Sequence, residues 1–267
     1  MSVPGRLPIA LCAALFAACS SSTGDKLGPP PTCPSCPSGS TLAGGMEASG
    51  AGVGGGSSGS GAGGDGQGGG ETATVSGDVV VVNSLAFDSA FAYAKPALVH
   101  GDGPSGKQIS KPYDGVSFTI DGVAKGDSWF LVVPDDTTDT VFPTYSGQRV
   151  AADKLTLPLL DQQVLSAIGL DAGLALSDQQ AQIVLRVTDG KNPIQGITAE
   201  SAGAGLILYD FGPTSYSIQN NATGDRGTIV LLNQSATSIT LTDAAANIYH
   251  VDVRPDAGTA TLLELVL

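Results

Sequence analysis

From residue 71 onward, short apolar runs alternate with turn-forming residues along the chain. Runs rich in β-branched and aromatic residues, bounded by Gly, Pro, Asp or Asn, are typical of β-strands. Turn signals recur at a spacing of roughly 8–12 residues, which is typical of a β-sandwich. The pattern predicts an all-β fold with strands at 72–82, 118–120, 129–133, 183–187, 228–232, 238–242, 249–253 and 260–266.

One segment has helical periodicity instead. Asp161 is a suitable N-cap, and Gly169 is a suitable residue at the helix end. Between them, Val164, Leu165 and Ile168 have the spacing that places side chains on one helix face. We therefore predict a single short helix here.

The strand pattern occurs twice. Gly115 precedes one predicted strand as Gly227 precedes another, and Asp135 follows a strand as Asp243 does. This indicates two tandem β-sandwich modules, each large enough for its own core. The predicted units are a first module at 71–150, a connector with the short helix at 151–176, and a second module at 177–267. Two sheets of one larger sandwich are the alternative.

The amino-terminal residues 1–18 have the features of an export signal. An apolar run from Leu7 to Ala18 follows Arg6, and it is too short to span a bilayer as a helix. The run ends in Leu15-Phe16-Ala17-Ala18-Cys19, which resembles the lipobox of bacterial lipoproteins.

That resemblance implies cleavage before Cys19 and lipidation of its thiol and amine, with Ser20 matching the outer-membrane default. Phe16 departs from the usual Leu. An ordinary cleaved signal is the alternative, although Phe16 suits its −3 position poorly. Two or more acyl chains are sufficient for stable anchoring, so we expect a lipid-anchored protein at the outer membrane or cell surface.

Residues 19–70 contain many Pro, Gly and Ser residues and no apolar periodicity. Such a segment buries too little apolar surface to fold, so we predict a disordered tether. Within it, Cys33 and Cys36 form a C-x-x-C pair, which we expect to close a small disulfide loop in an exported protein. A thioredoxin-like motif would need a flanking strand and helix, and a zinc site would need two more ligands.

The stretch from Tyr113 to Gly126, followed by Trp129-Phe130-Leu131-Val132-Val133, resembles the carboxypeptidase regulatory-like domain. Residues 187–198, 223–233 and 239–242 resemble it again, with a departure at residues 234–237, where the family has a Gly turn. The resemblance implies Greek-key sandwiches of the Ig-like or transthyretin-like type and a non-catalytic role. The whole layout also resembles lipoproteins of high-GC bacteria such as myxobacteria.

Composition removes several function classes. A formal charge of −13 argues against a nucleic-acid partner. The only histidines are His100, expected in a turn, and His250, expected to face solvent from a strand. Neither lies near a nucleophile with a partnered base, so we predict no enzyme activity and no cofactor; a hydrolase is the least favoured alternative.

Two further groups of residues suggest ligands. Asp135, Asp136 and Asp139 form an acidic loop that is a weak candidate for Ca²⁺, although Asp is also an ordinary turn residue. Trp129 is expected in the core. Four aromatic residues are candidates for a ligand-binding loop or surface: Tyr209, Phe211, Tyr216 and Tyr145.

The favoured function is a non-enzymatic surface lipoprotein with a structural, adhesive or protein-binding role. Its partners would be the membrane, through the anchor, and an unknown protein or glycan. The alternative is a carbohydrate-binding module that uses the exposed aromatic residues.

Overall fold

The computed structural model describes residues 71–136, 138, 140–150, 154–203 and 205–267. The predicted leader and tether, with Cys19, Cys33 and Cys36, lie outside the described residues, as does Asp139. All described residues belong to one compact unit. Its α-helix is not long and apolar enough to cross a membrane.

The all-β prediction is confirmed: the described residues form strands β1 to β17, one α-helix and a 3-10 turn at Pro104–Gly106. The strands before the helix are β1 (Thr72–Val82), β2 (Ala90–Ala92), β3 (Ala97–Asp102), β4 (Gln108–Tyr113), β5 (Phe118–Ala124), β6 (Gly126–Pro134), β7 (Val141–Phe142), β8 (Thr144–Val150) and β9 (Lys154–Asp161). Helix α1 is Gln162–Asp171. The strands after it are β10 (Ala181–Thr188), β11 (Thr198–Ser201), β12 (Leu206–Phe211), β13 (Ser215–Ser217), β14 (Thr228–Gln234), β15 (Ser238–Thr242), β16 (Ile248–Asp252) and β17 (Ala260–Val266).

These strands build three sheets. In the first outer sheet, β1 pairs in parallel with β9 and antiparallel with β2 and β5, and β7 pairs with β9. The central sheet has nine strands in the order β13-β12-β14-β10-β17-β8-β6-β3-β4. The second outer sheet has the order β11-β15-β16.

The two halves of the central sheet are joined by one short parallel pairing. Ala260 of β17 pairs with Thr144 of β8, and Leu262 pairs with Ser146. Strands from the first half of the chain therefore continue directly into strands from the second half. Strands of both predicted modules therefore lie in one sheet.

The outer sheets cover opposite faces of this central sheet. Phe130 of β6 lies opposite Ser146, which pairs in turn with Leu262, so these three side chains share a face. Phe130 belongs to the first core, against the first outer sheet. Leu263, one residue along and therefore on the other face, belongs to the second core, against the second outer sheet.

A third core fills the remaining face of the second half. There α1 packs Leu165 and Ile168 against Val230 and Leu232 of β14. Because β14 is covered on both faces, all seven of its residues are buried. This explains why its residues 229–232 form a continuous apolar run and not an alternation.

The two halves have the same strand topology, which supports the predicted repeat. In the first, β1 is parallel to β9 and antiparallel to β5; in the second, β10 is parallel to β17 and antiparallel to β14. Each half also has three neighbouring antiparallel strands in corresponding positions, β3-β6-β8 in the first half and β11-β15-β16 in the second. The paired glycines Gly115 and Gly227 both adopt positive φ before their strands.

The predicted helix is confirmed, with one difference at its end. Asp161 caps it by accepting a hydrogen bond from the Gln163 backbone N–H at 2.7 Å. The helix passes Gly169 and ends at Asp171, and Gly173 supplies the positive φ that follows it.

The segment predicted as a connector contains a strand. β9 pairs with β1 from Lys154 to Leu160 and lies in the first outer sheet. Pro158 in its centre argues against a strand when only the sequence is read. The predicted module boundaries remain a prediction.

We expect Leu165→Ala in α1 to lower the free energy of unfolding by about 2–5 kcal/mol, because it leaves a cavity in the third core. Leu165 is fully buried. Leu170→Ala on the same helix is the matched control, since Leu170 is 72% exposed, and we expect a change below about 0.5 kcal/mol. Urea unfolding followed by circular dichroism measures both. Equal effects of the two substitutions would contradict the assigned packing of α1.

Candidate functional site

A groove of about 900 Å³ lies where the second outer sheet ends at β16 and the central sheet continues beyond it. Four short stretches line it: 127–129 of β6, 147–149 of β8, 247–252 along β16, and 263–267 along β17. All four stretches lie in or beside strands, so strands form the walls of the groove.

Trp129 lies in the groove and is half-buried. It points to the face opposite Phe130 and packs against the second core. The sequence predicted that it faces the core. The neighbouring Gly147 has no side chain to obstruct this packing. A Cβ atom at this position would lie 3.0 Å from the Cδ2 atom of Leu263, which is a tight contact. The groove floor is therefore apolar and closely packed.

The loop after β16 crosses the central sheet beside the groove. The Arg254 guanidinium lies 5.5 Å from the centre of the Trp129 ring and 3.3 Å from the Asp102 carboxylate. Tyr145, whose ring meets Trp129 edge-on, donates a hydrogen bond to Asp256. Burial, and then this hydrogen bond, raise the pKa of Tyr145 to about 12.

β16 presents an unpaired strand edge to the groove. Its side chains follow the predicted alternation, with Val251 buried and His250 exposed. Hydrogen bonds from Asp243 N–H to Asn247 C=O and from Val253 N–H to Thr237 C=O fix the ladder with β15.

The phase of that ladder decides which backbone groups are free. In an antiparallel pair, alternate residues direct both backbone groups toward the partner. Tyr249 and Val251 therefore face β15, and the backbone groups of Ile248, His250 and Asp252 point away from it. No hydrogen bond of the described residues satisfies these outward groups.

The charged side chains around the groove are of both signs. Asp127 lies directly opposite Arg149 in the β6–β8 ladder, and the Arg254 guanidinium lies over Trp129. Glu264 pairs with Arg186 in the β10–β17 ladder, and its side chain lies on the face of the central sheet opposite to Leu263.

Asp243 holds the turn that leads into β16. Its carboxylate accepts hydrogen bonds from the backbone of Ala245 and Asn247, the Asn247 side chain at 2.7 Å and the Tyr249 hydroxyl at 3.1 Å. The hydrogen bonds from Asn247 hold the pKa of Asp243 below its usual range. The turn is thus tied to a wall of the groove.

The four predicted aromatic residues do not form one platform. Tyr209 is buried, and its hydroxyl is bonded to the backbone of Ala199. Phe211 is 62% exposed at the end of β12. Tyr209, Phe211 and Tyr216 lie on the hairpin β12–β13. Only Tyr145 lies beside the groove.

Tyr216 belongs to a structural cluster that ties this hairpin to the first half of the fold. Its hydroxyl and Arg226 both donate to the Leu85 carbonyl oxygen, and the guanidinium lies 4.8 Å from the ring centre. The fully buried Asp210 carboxylate accepts backbone hydrogen bonds from Gly224, Arg226 and Thr228. Burial raises the pKa of Tyr216.

Asp135 and Asp136 lie directly after the end of β6. Asp136 accepts hydrogen bonds from the backbone and hydroxyl of Thr138, which lower its pKa, and lies 3.8 Å from the Lys95 ammonium. Among the described residues no three His, Cys, Asp or Glu side chains form a metal-binding group. Calcium binding by Asp135, Asp136 and Asp139 remains a prediction.

His100 lies in β3 and not in a turn. Its Nδ1 atom is 2.6 Å from the hydroxyl of Ser110, its cross-strand neighbour on β4, and burial lowers its pKa. No described carboxylate is hydrogen-bonded to this ring, so the pair lacks the third member of a hydrolytic triad.

No protein-family model matches the chain, and no curated protein matches it in sequence. The resemblance to the carboxypeptidase regulatory-like domain therefore remains a prediction.

Several solved structures are distantly similar. The Bacillus anthracis TIE protein is 8% identical over 73% of this chain, with a TM-score of 0.21. This chain spans 33% of the TIE protein. The shaft pilin SpaA from Lactobacillus rhamnosus GG is 6% identical over 73% of this chain and 96% of its own, with a TM-score of 0.22.

A fimbrial assembly protein from Parabacteroides distasonis is 12% identical over 73% of this chain and 91% of its own, with a TM-score of 0.18. TM-scores this low identify neither the fold nor the function of this chain.

We expect Asp243→Asn to lower the melting temperature at neutral pH, because an amide cannot accept all the hydrogen bonds of the carboxylate. A lowered pKa contributes stability above the ordinary Asp pKa of about 3.9, and that contribution is lost as the pH falls through the folded-state value. The deficit should therefore shrink below about pH 4. Melting curves from neutral to acid pH, with exposed Asp178→Asn as control, test this; a constant deficit at every pH would contradict it.

Proposed function

We propose that this protein is a non-enzymatic, lipid-anchored surface protein whose folded part binds another protein. The observation that carries the binding role is the groove, which combines an apolar floor at Trp129 with an unpaired strand edge at β16. Exposed strand edges are sites at which other polypeptides add.

The shared central sheet supports a structural or adhesive role. The third core contains residues of both halves, and Trp129 of the first half packs against the second core, so the groove is held on a rigid support. A rigid site loses less conformational entropy on binding than a mobile one.

The anchoring part of the proposal rests on the apolar run before Cys19 and on the matching residues around it. Acyl chains on this residue, followed by the predicted tether, would hold the folded part at the outer membrane or cell surface. The carbohydrate alternative has less support, since Tyr209 is buried and Tyr216 is bonded to Leu85.

We expect the full chain to incorporate a palmitate analogue and to sediment with membranes, and we expect Cys19→Ala to lose the label and leave the membrane fraction. Cys33→Ala is the matched control and should keep both properties. Gel fluorescence of the labelled protein measures incorporation. An unlabelled wild-type chain, or a label that persists in Cys19→Ala, would contradict the anchor at this residue.

The binding role is tested by cross-linking on intact cells that produce the full chain. We expect discrete cross-linked polypeptides, identified by mass spectrometry, and no signal on a glycan array. Glycan binding without any cross-linked polypeptide would favour the carbohydrate-binding alternative and contradict the proposed role.

A further inference from the structure

We propose that a small cavity between β9 and the second half of the central sheet binds a small zwitterion, an α-amino acid of about the size of alanine. Arg186 binds its carboxylate and Glu264 binds its ammonium group. The side chains of this site lie on the face of the central sheet opposite to Leu263 and the groove floor. The inference therefore goes beyond the proposed protein-binding role and does not depend on it.

The register of the central sheet brings the residues of this cavity together. Arg186 of β10 is the direct neighbour of Glu264 on β17. Leu262 lies two residues before Glu264, and its neighbour on β8 is Ser146, two residues before Gln148. Because side chains two residues apart in a strand share a face of the sheet, all five side chains lie on the same face.

β9 closes the cavity from the other side, with Thr156 and Pro158. Pro158 is buried and Leu262 is half-buried, so together they form an apolar wall for an aliphatic side chain of the ligand. The volume of the cavity is about 160 Å³. A cavity of about 150 Å³ holds benzene, which has about as many non-hydrogen atoms as alanine. The cavity therefore matches the smallest amino acids in size.

The polar side chains of the cavity are unpaired. Arg186 and Glu264 are neighbours in the ladder, yet their side chains form no ion pair with each other or with any other described residue. The side chains of Gln148 and Thr156 likewise have no hydrogen bond within the part of the chain that the structure describes. Four polar side chains that line one cavity thus keep their hydrogen-bonding capacity for a ligand.

The neighbouring charges on β9 and β1 do not neutralise this pair. Asp78 is the direct neighbour of Thr156 in the β1–β9 ladder, and its carboxylate lies 2.9 Å from the Lys154 ammonium. These two charges compensate each other. The charges of Arg186 and Glu264 are therefore the free ones at the cavity.

One free charge of each sign identifies the class of ligand. A simple anion would be attracted by Arg186 but repelled by Glu264, and the reverse holds for a simple cation. An α-amino acid carries both charges a short distance apart. Its carboxylate can accept two parallel hydrogen bonds from the Arg186 guanidinium. Its ammonium group can donate to the Glu264 carboxylate and to the amide oxygen of Gln148.

Ser146 adds an unpaired polar atom beside the cavity. It is 1% exposed, and its Oγ atom has no hydrogen-bond partner among the described residues. Its direct neighbour on β17, Leu262, lines the cavity. Buried hydroxyl groups in folded proteins are normally hydrogen-bonded. This face of the sheet therefore has more hydrogen-bonding capacity than the fold itself uses.

The test uses the full chain in equilibrium dialysis against radiolabelled L-alanine, for which we expect saturable binding. Propionate lacks the ammonium group and ethylamine lacks the carboxylate. Each should compete at least about tenfold more weakly than unlabelled alanine, because one charge-assisted interaction is lost. Absence of saturable alanine binding, or competition by propionate as strong as that by alanine, would overturn the assignment of a zwitterion.

Two substitutions locate the site. Arg186→Gln and Glu264→Gln each remove one charge, and each should lose at least about tenfold in alanine affinity. Lys111→Gln and Glu200→Gln are the matched controls, since both residues are exposed on strands that do not line the cavity, and they should bind alanine as wild type does. Melting curves establish that the variants fold.

Arg186→Lys keeps the charge and loses the paired hydrogen-bond geometry, so its affinity should lie between those of wild type and Arg186→Gln. It locates the site even if Arg186→Gln fails to fold. Alanine binding as tight as that of wild type in both Arg186 variants would overturn the site.

The outcomes for this site and for the proposed function are distinguishable. A chain that binds alanine but cross-links no polypeptide on cells would support this site and contradict the proposed function. A chain that cross-links a polypeptide but binds no alanine would contradict this site alone.

Discussion

The parallel pairing of β8 with β17 is the interaction on which the arrangement of this protein depends. This pairing involves only Thr144 to Ser146 of β8 and Ala260 to Leu262 of β17. It nevertheless joins two copies of a strand repeat into one nine-stranded sheet. Because side chains alternate across a sheet, this register places the first and second cores on opposite faces. It also leaves one face of the second half for α1 to cover, which creates the third core.

The same pairing explains the groove. β17 and β8 are registered only over their first residues, and β17 continues to Val266 without a partner on that side among the described residues. β16 ends the second outer sheet above this gap. The candidate site is therefore a product of how the repeats join, and neither repeat would form it alone.

Local patterns were sufficient to predict the elements whose environment is simple. The structure places β15 and β17 at the predicted bounds, because apolar and polar residues alternate along such strands or turn residues mark their ends. Helix α1 begins at the predicted cap, Asp161.

β9 was missed because Pro158 interrupts its strand pattern. The sequence could not predict which core Trp129 packs against, because that depends on which face of the shared sheet is covered nearby. The groove could not be predicted, since it depends on the register between strands that are distant in sequence. The outward direction of the His250 backbone depends likewise on the phase of the β15–β16 ladder.

The position of β1 has a mechanical consequence. A force that reaches the described residues from the amino-terminal side enters the fold at Thr72, the first residue of β1. β1 is an interior strand: it pairs with β9 from Ser76 to Val82, and its other edge pairs with β5 and β2. A pull along its axis must shear hydrogen bonds on both edges together instead of opening them one at a time, so the load is shared across the ladder. The strand nearest the amino-terminal segment is thus suited to hold the folded part in place under flow or traction.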